Sequence, residues 1–175
     1  MPKSSIFRSY CTHGILTKVV AKAHSDDDVE IFKDRVELRM PSTNESPSFP
    51  DWFPASCPPA ASVDASGIVF RFVANQPIDP GDFLSHYELE IAPRANPCSR
   101  CSLSVFDEIK AARESLKYLM GRNPDRFGPH IAEGTLDASH GKLKQDGKNL
   151  SHFEWWAYEG VERHRPFRVV ETLDR

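Results

Sequence analysis

Apolar and polar positions alternate in short runs over most of this chain, and only two stretches carry a helical period. Ile68-Val69-Phe70-Arg71-Phe72-Val73 is almost continuously apolar, which predicts a strand buried on both faces and interrupted by Arg71. Asp79-Pro80 is a helix start, a capping carboxylate before a first-turn proline, and Phe83, Tyr87 and Ile91 then fall on one face until Pro93. Ser102 to Phe106 reads as a strand in which Ser104 stands. Asp107 can cap a helix over Glu108–Met120, where Ile109, Ala112, Leu116 and Leu119 recur at helical spacing, Gly121 stands at the C-terminal cap and Pro124 just beyond. Three more strands are predicted at 130–136, 153–158 and 167–171, with a polar loop holding Gly141 and Gly147 between the first two.

The N-terminal part reads differently. Ile15 to Lys22, Val29 to Phe32 and Val36 to Leu38 are short β-like runs, and Asp26, Asp27 and Asp28 make a solvated turn between them. Six prolines between Pro41 and Pro59 then remove backbone donors and fix φ, so neither helix nor central strand can run there. Trp52 and Phe53 in this strap are expected to anchor it to the body. The predicted fold class is α+β: a mixed, mainly antiparallel sheet with two principal helices at 67–175, preceded by a β-rich extension at 1–39 and a proline-rich strap at 40–66.

Composition narrows the function classes. A net charge of −3 over 175 residues lacks the basic face that nucleic-acid binding needs, so a nucleic-acid partner is not favoured. No apolar run approaches the ~20 residues that span a bilayer. Arg8, Thr12, His13 and Thr17 interrupt the N-terminal segment, so no secretory signal is expected. Four scattered cysteines, Cys11, Cys57, Cys98 and Cys101, suit a cytoplasmic chain with reduced thiols better than a disulfide scaffold.

The candidate chemistry is concentrated at a few positions. Cys98-x-x-Cys101 is half of a zinc site, and zinc takes four ligands; small residues in a loop entering the core are the plainer reading. Because this pair precedes a strand, a redox role is not expected. Arg71 inside an apolar strand either faces solvent or binds an anion in a cleft, since burying an unpaired guanidinium costs several kcal/mol. His86-Tyr87-Glu88 cannot all serve one site on a helix; Tyr87 is read as core and His86 as the candidate ligand-binding residue. In His152-Phe153-Glu154-Trp155-Trp156, His152, Glu154 and Trp156 project from one face of a strand and Phe153 and Trp155 from the other, the pattern of a cleft edge or of an ordinary amphipathic strand. Lys142, Lys144 and Lys148, like Arg163 and Arg165, can touch phosphates or stay solvated. The spacing of a Walker phosphate loop, the Gly-x-Ser-x-Gly elbow and His-Glu-x-x-His are all absent.

Taken in order, Val69-Phe70-Arg71, then Leu103-Ser104-Val105-Phe106 leading into Ala111-Ala112, then His130 to Leu136 and His152 to Trp156, resemble the ADP-ribosyltransferase-like fold, including its RNA 2′-phosphotransferase and RES-toxin relatives. The resemblance implies that Arg71 holds an NAD phosphate or ribose, that Ser104 buttresses the nicotinamide pocket and that Glu154 activates the acceptor. The leading expectation is a small cytoplasmic protein with an anion- or nucleotide-binding cleft lined by Arg71, Ser104, His152 and Glu154, acting as a transferase on NAD or RNA phosphate. A second expectation is a non-catalytic interaction module that docks a protein partner through residues 1–66, as in a defence or toxin–antitoxin pair. A third is a small domain stabilised by zinc on Cys98 and Cys101.

Overall fold

The computed structural model describes residues 9–12, 15–18, 46–123 and 126–174. The chain divides into two compact units, Met1–Glu45 and Ser46–Arg175. In the first, β1 (Ser9–Thr12) and β2 (Ile15–Lys18) form an antiparallel hairpin in which Ser9 faces Lys18 and Thr12 faces Ile15. The aspartate turn and the β-like runs at 29–32 and 36–38 lie outside the described residues.

The second unit is α+β. Its sheet consists of β3 (Val63–Asp64), β4 (Gly67–Val73), β5 (Leu103–Phe106), β6 (His130–Leu136), β7 (Gly141–Gln145), β8 (His152–Ala157) and β9 (Phe167–Thr172). The spatial order is β3-β7-β8-β5-β4-β6-β9, and every pairing is antiparallel. The helices are the single turn α1 (Pro97–Arg100) and the longer α2 (Ile109–Arg122).

The alternation of strand side chains splits the apolar residues between two cores. Val69, Val73, Leu103, Val105 and Trp155 lie on one face, with Phe83 and Phe167 packed into them. Phe70, Phe106 and Ile131 lie on the other, covered by Ala112 and Leu116 of α2. The apolar run of β4 thus meets a core on each side, as its composition predicts. Trp155 and Trp156 are 0% exposed although consecutive, one on each face, because both indoles find acceptors: Trp155 Nε1 donates to the His140 carbonyl and Trp156 Nε1 to the Cys98 carbonyl, each at 3.0 Å.

Three expectations about elements are corrected. The helix predicted from Asp79 is a 3-10 turn over Pro80–Phe83 that stops at Leu84, whose backbone is extended. Asp79 and Asp82 do form a capping box, but the Asp82 carboxylate also accepts from Ala74 N at 2.8 Å, tying the turn to the end of β4 instead of releasing it into a helix. Ser85 and Glu88 then cap each other across a separate turn, and Glu90 and Ala92 have positive φ values of 55° and 52°. Phe83 and Tyr87 consequently share no face: Phe83 is buried, whereas Tyr87 is 40% exposed. At α2, Glu108 and not Asp107 occupies the N-cap, and Asn123 forms the C-cap with Gly121 inside the last turn. The polar loop around Gly141 is in fact the strand β7, where Lys142-Leu143-Lys144 offers only one apolar residue, Leu143, to reveal its alternation.

The proline strap runs as irregular backbone from Ser46 to Ser62 and lies on the body. Trp52 stacks on Tyr87 at 4.8 Å with ring planes 4° apart, Phe49 packs on Tyr158 at 4.7 Å, and Glu159 N donates to the Ser48 carbonyl at 2.8 Å. Phe53 reaches the body indirectly, through Phe49 and Trp52. A disulfide joins Cys57 of the strap to Cys98 of α1, so the reduced-thiol expectation fails for these two residues.

The sheet is nearly two sheets. β4 meets β5 only at the pair Phe70–Phe106, whereas β4 runs beside β6 from Gly67–Leu136 to Val73–His130 and β5 runs beside β8 from Leu103–Trp155 to Phe106–His152. Past Phe70 the four strands β3-β7-β8-β5 and the three strands β4-β6-β9 separate.

Gly141 opens β7 at φ 125°, and a Cβ there would lie 2.0 Å from the Trp156 carbonyl oxygen. Gly141→Ala is expected to cost roughly 3 kcal/mol or more, because backbone strain and overpacking each cost about 1–3 kcal/mol. Urea unfolding followed by tryptophan fluorescence measures this, with Gly147→Ala as the neutral control, since a Cβ there meets nothing within 4 Å.

Candidate ligand-binding cleft at the split of the sheet

The separation of β4 from β5 opens a cavity of about 710 Å³. That is within the ~300–1,000 Å³ range of small-molecule and cofactor sites. Phe72, Val73 and Ala74 form one bank and Leu103, Ser104 and Phe106 the other; the turns at 81–91 and the segment after α2, Arg126 to Gly128, close the ends. Arg71, Ser104, His86, His152 and Glu154, chosen from widely separated parts of the sequence, all line it.

Arg71 stands where the ladder stops. Its Nη1 donates to the Ser104 carbonyl at 2.9 Å, while Nε and Nη2 donate to the Asp82 carbonyl at 3.2 and 2.9 Å. The guanidinium thus bridges the two halves of the sheet in the stretch where strand pairing is missing. Its plane lies 5.3 Å from the Phe83 ring centroid. All three of these bonds go to backbone oxygens, which leaves two of the five N–H donors of an arginine to bind something else. Burial lowers its pKa to about 10, partly offset by the nearby Asp82 carboxylate, so the group remains charged at neutral pH. Charge without a bonded counter-ion is what an anion site requires.

A neutral imidazole and a second guanidinium adjoin it. The pKa of His86 is lowered by burial first and then by the positive charges of Arg126, Arg71 and Arg100, which keeps it neutral near pH 7. Arg126 lines the cleft with its guanidinium 5.6 Å from the Phe127 centroid. A bound anion would favour protonation of His86. The turn carrying His86 is held by an ion pair beneath it: Arg163 Nη1 donates to Glu88 Oε2 at 2.7 Å and to the Phe83 carbonyl at 3.0 Å. Arg163 is therefore a structural residue and not a phosphate contact.

The acidic side of the cleft comes from β8. Glu154 pairs with Ser104 on β5 and with Lys144 on β7, so the three side chains share one face. Glu154 has no ion-pair partner among the described residues. His152 is oriented by Asp146, whose Oδ2 lies 3.2 Å from Nδ1, and its ring packs 5.2 Å from that of Phe106. A carboxylate and an oriented imidazole thus line the same cavity as a cationic group, entering it from the Phe106 face of the sheet while Arg71 enters from the Val69 face, an arrangement that can bind an anionic ligand and move a proton on it.

Cys98 and Cys101 do not form a ligand pair. The Cys98 sulfur is bonded to Cys57, and Cys101 is buried with its Sγ donating to the Pro97 carbonyl at 3.2 Å. Both sit on or beside the turn of α1, capped by Asn96, and not in a loop; this corrects the loop placement. Among the described residues no group of three or more His, Cys, Asp or Glu side chains is placed to hold a metal ion. Lys142 is engaged by Asp64 at 2.8 Å, away from the cleft. Arg126 was not signalled by the sequence: nothing in Arg126-Phe127-Gly128 distinguishes it from a solvated turn, and only the fold brings it to His86.

Comparison of the chain with protein-family models, with curated proteins and with solved structures found no match.

The Arg163–Glu88 pair has an acid limb. Burial pushes the Glu88 carboxyl up, but the bonds from Arg163 and Ser85, with the charge of Arg163, outweigh it and leave the group below its ordinary 4.5. Stability from this group is fully present above that value and is lost as pH falls through the lower folded-state value. Chemical denaturation at about pH 6 and about pH 3 should show a smaller pH-dependent loss in Arg163→Gln than in the wild type.

Proposed function

We propose that residues 46–174 form a nucleotide-binding unit whose cleft takes a phosphate-bearing ligand, and that its reaction is a transfer on NAD or on an RNA phosphate. One observation carries this reading: the Arg71 guanidinium is held in the cleft by backbone carbonyls, with donors left over and no carboxylate bonded to it. Arg71, His86 and Arg126 form the anion-binding end of the site, and Ser104 stands between that end and Glu154. Glu154 accepts the proton of an acceptor hydroxyl, with His152, steadied by Asp146, beside it. The cavity is large enough for a dinucleotide bent across the split.

The alternative of a docking module draws less support. The strap from Ser46 to Ser62 commits Trp52 and Phe49 to the chain's own core, leaving residues 1–45 to carry such a role. No helix among the described residues is long and apolar enough to cross a membrane. Disulfides persist in oxidising surroundings and are rare in the cytosol, so the Cys57–Cys98 bond speaks against the cytoplasmic placement that four scattered cysteines suggest.

Calorimetric titration with NAD, and separately with an oligoribonucleotide bearing a 2′-phosphate, tests the reading. Arg71→Lys should weaken binding about tenfold or more, because a point charge cannot reproduce the planar fork. Glu154→Gln should keep affinity within a few-fold while slowing nicotinamide or phosphate release by about 10²–10⁴-fold, the usual contribution of a positioned acid or base. Absence of binding by either ligand to folded wild-type protein would overturn the proposal.

A further inference from the structure

Cys98 has two neighbours with which it can form a disulfide. It is bonded to Cys57 on the strap, with the two Cα atoms 5.3 Å apart. Cys101, three residues on, closes the same turn: its N–H donates to the Cys98 carbonyl at 3.0 Å. An i→i+3 bond of this kind brings the side chains of its two residues onto one face of the turn. Helical geometry places their Cα atoms roughly 5 Å apart, inside the ~4.4–6.8 Å that a disulfide spans. Cys101 is a free thiol, and it is buried, shielded from bulky external reagents but not from its neighbour.

We propose that Cys57–Cys98 and Cys98–Cys101 are alternative disulfides of one chain, and that exchange between them releases the strap from the body. The exchange is internal and needs no oxidant or reductant. The Cys101 thiol loses its proton, and the thiolate attacks Cys98 Sγ. The Cys98–Cys101 bond forms as the Cys57–Cys98 bond breaks, and Cys57 leaves as a thiolate that takes up a proton. Burial raises the Cys101 pKa, opposed by the charge of Arg100 on α1 and reinforced by that of Glu88 on the facing turn, so little of the thiol is ionised at neutral pH and the exchange is slow there.

The strap's other holds pass close to the cleft. Trp52 lies flat on Tyr87, which is the neighbour of His86, and Tyr87 N donates to the Arg100 carbonyl of α1 at 2.9 Å. Loss of the Cys57 tether therefore loosens the layer that backs the His86 turn. This consequence for binding rests on the proposed cleft function; the exchange itself does not.

Peptide mapping of the full-length chain reads the two bonds directly. Trypsin cuts after Arg100, between the two cysteines of α1, so Cys98 and Cys101 emerge on separate peptides and Cys57 on the peptide Met40–Arg71. The unreduced protein is incubated over a range of mildly alkaline pH, treated with iodoacetamide, acidified and digested. The expected products are the Ala95–Arg100 peptide cross-linked to Cys101–Lys110 and an alkylated Cys57. Their rate of appearance should rise about tenfold per pH unit below the thiol pKa, as the thiolate fraction does. Cys101→Ser should give neither product. Cross-links to Cys57 alone at every pH, with Cys101 as the only alkylated residue of the three, would overturn the proposal, as would unchanged Cys57 alkylation in Cys101→Ser. Phosphate or NAD binding that differs less than twofold between Cys101→Ser and a Cys57→Ser chain carrying the mapped Cys98–Cys101 bond would sever the link to the cleft while leaving the exchange standing.

Discussion

The single residue pair that joins β4 to β5 is the constraint on which the rest of the unit depends. Phe70 and Phe106 face each other at the one ladder pairing between a four-stranded and a three-stranded half-sheet, and their rings help to build the core beneath α2. Beyond them the backbones part, and a gap in a sheet leaves polar groups that need partners. Arg71 meets part of that demand by donating to the Ser104 carbonyl on the far side. The same charge that closes the sheet's hydrogen bonding is the one on which the proposed binding site rests, so the architecture and the candidate chemistry have a common origin.

The cleft has opposite electrostatic ends because different elements supply them. Arg71 from β4, His86 from the turn that follows and Arg126 from beyond α2 converge on one side, whereas Glu154 arrives on β8 from the other half-sheet. The two guanidiniums gain little from one another, and the lowered pKa of His86 records its burial first and then their positive charge. Folding tolerates the arrangement because the charged groups beneath the site have partners: Glu88 and Arg163 pair with each other, and the Asp82 carboxylate accepts from Ala74 and Asn75.

Much of the sheet was legible from alternation alone. The strands at 67–73, 130–136, 152–157 and 167–172 and the helix after Phe106 all present enough apolar side chains for their period to show. Legibility failed where a local interaction competed with an equally good alternative. Read by itself Asp79-Pro80 is a helix start, but in the folded chain Ala74 and Asn75 tie Asp82 into a turn. Lys142-Leu143-Lys144 hides a strand whose neighbours, and not its own composition, give it an inside and an outside. Arg71 could be singled out as a charge in an apolar strand, His86 as a titratable group, and His152 and Glu154 as the polar face of a strand, while Ser104 came from the family resemblance alone; the fold places all five around one cavity. The Cys57–Cys98 bond was beyond the reach of such reasoning, since 41 residues separate partners whose approach depends on the path of an irregular strap.

A sheet whose halves share one ladder pairing has a mechanical consequence. The halves, β3-β7-β8-β5 on one side and β4-β6-β9 on the other, are two plates held together by side chains and not by a continuous backbone ladder. Any molecule lodged in the cleft touches both plates and acts as a brace between them. Occupancy would then be felt at the outer strands β3 and β9, far from the ligand, as a change in rigidity and not as a change in contacts.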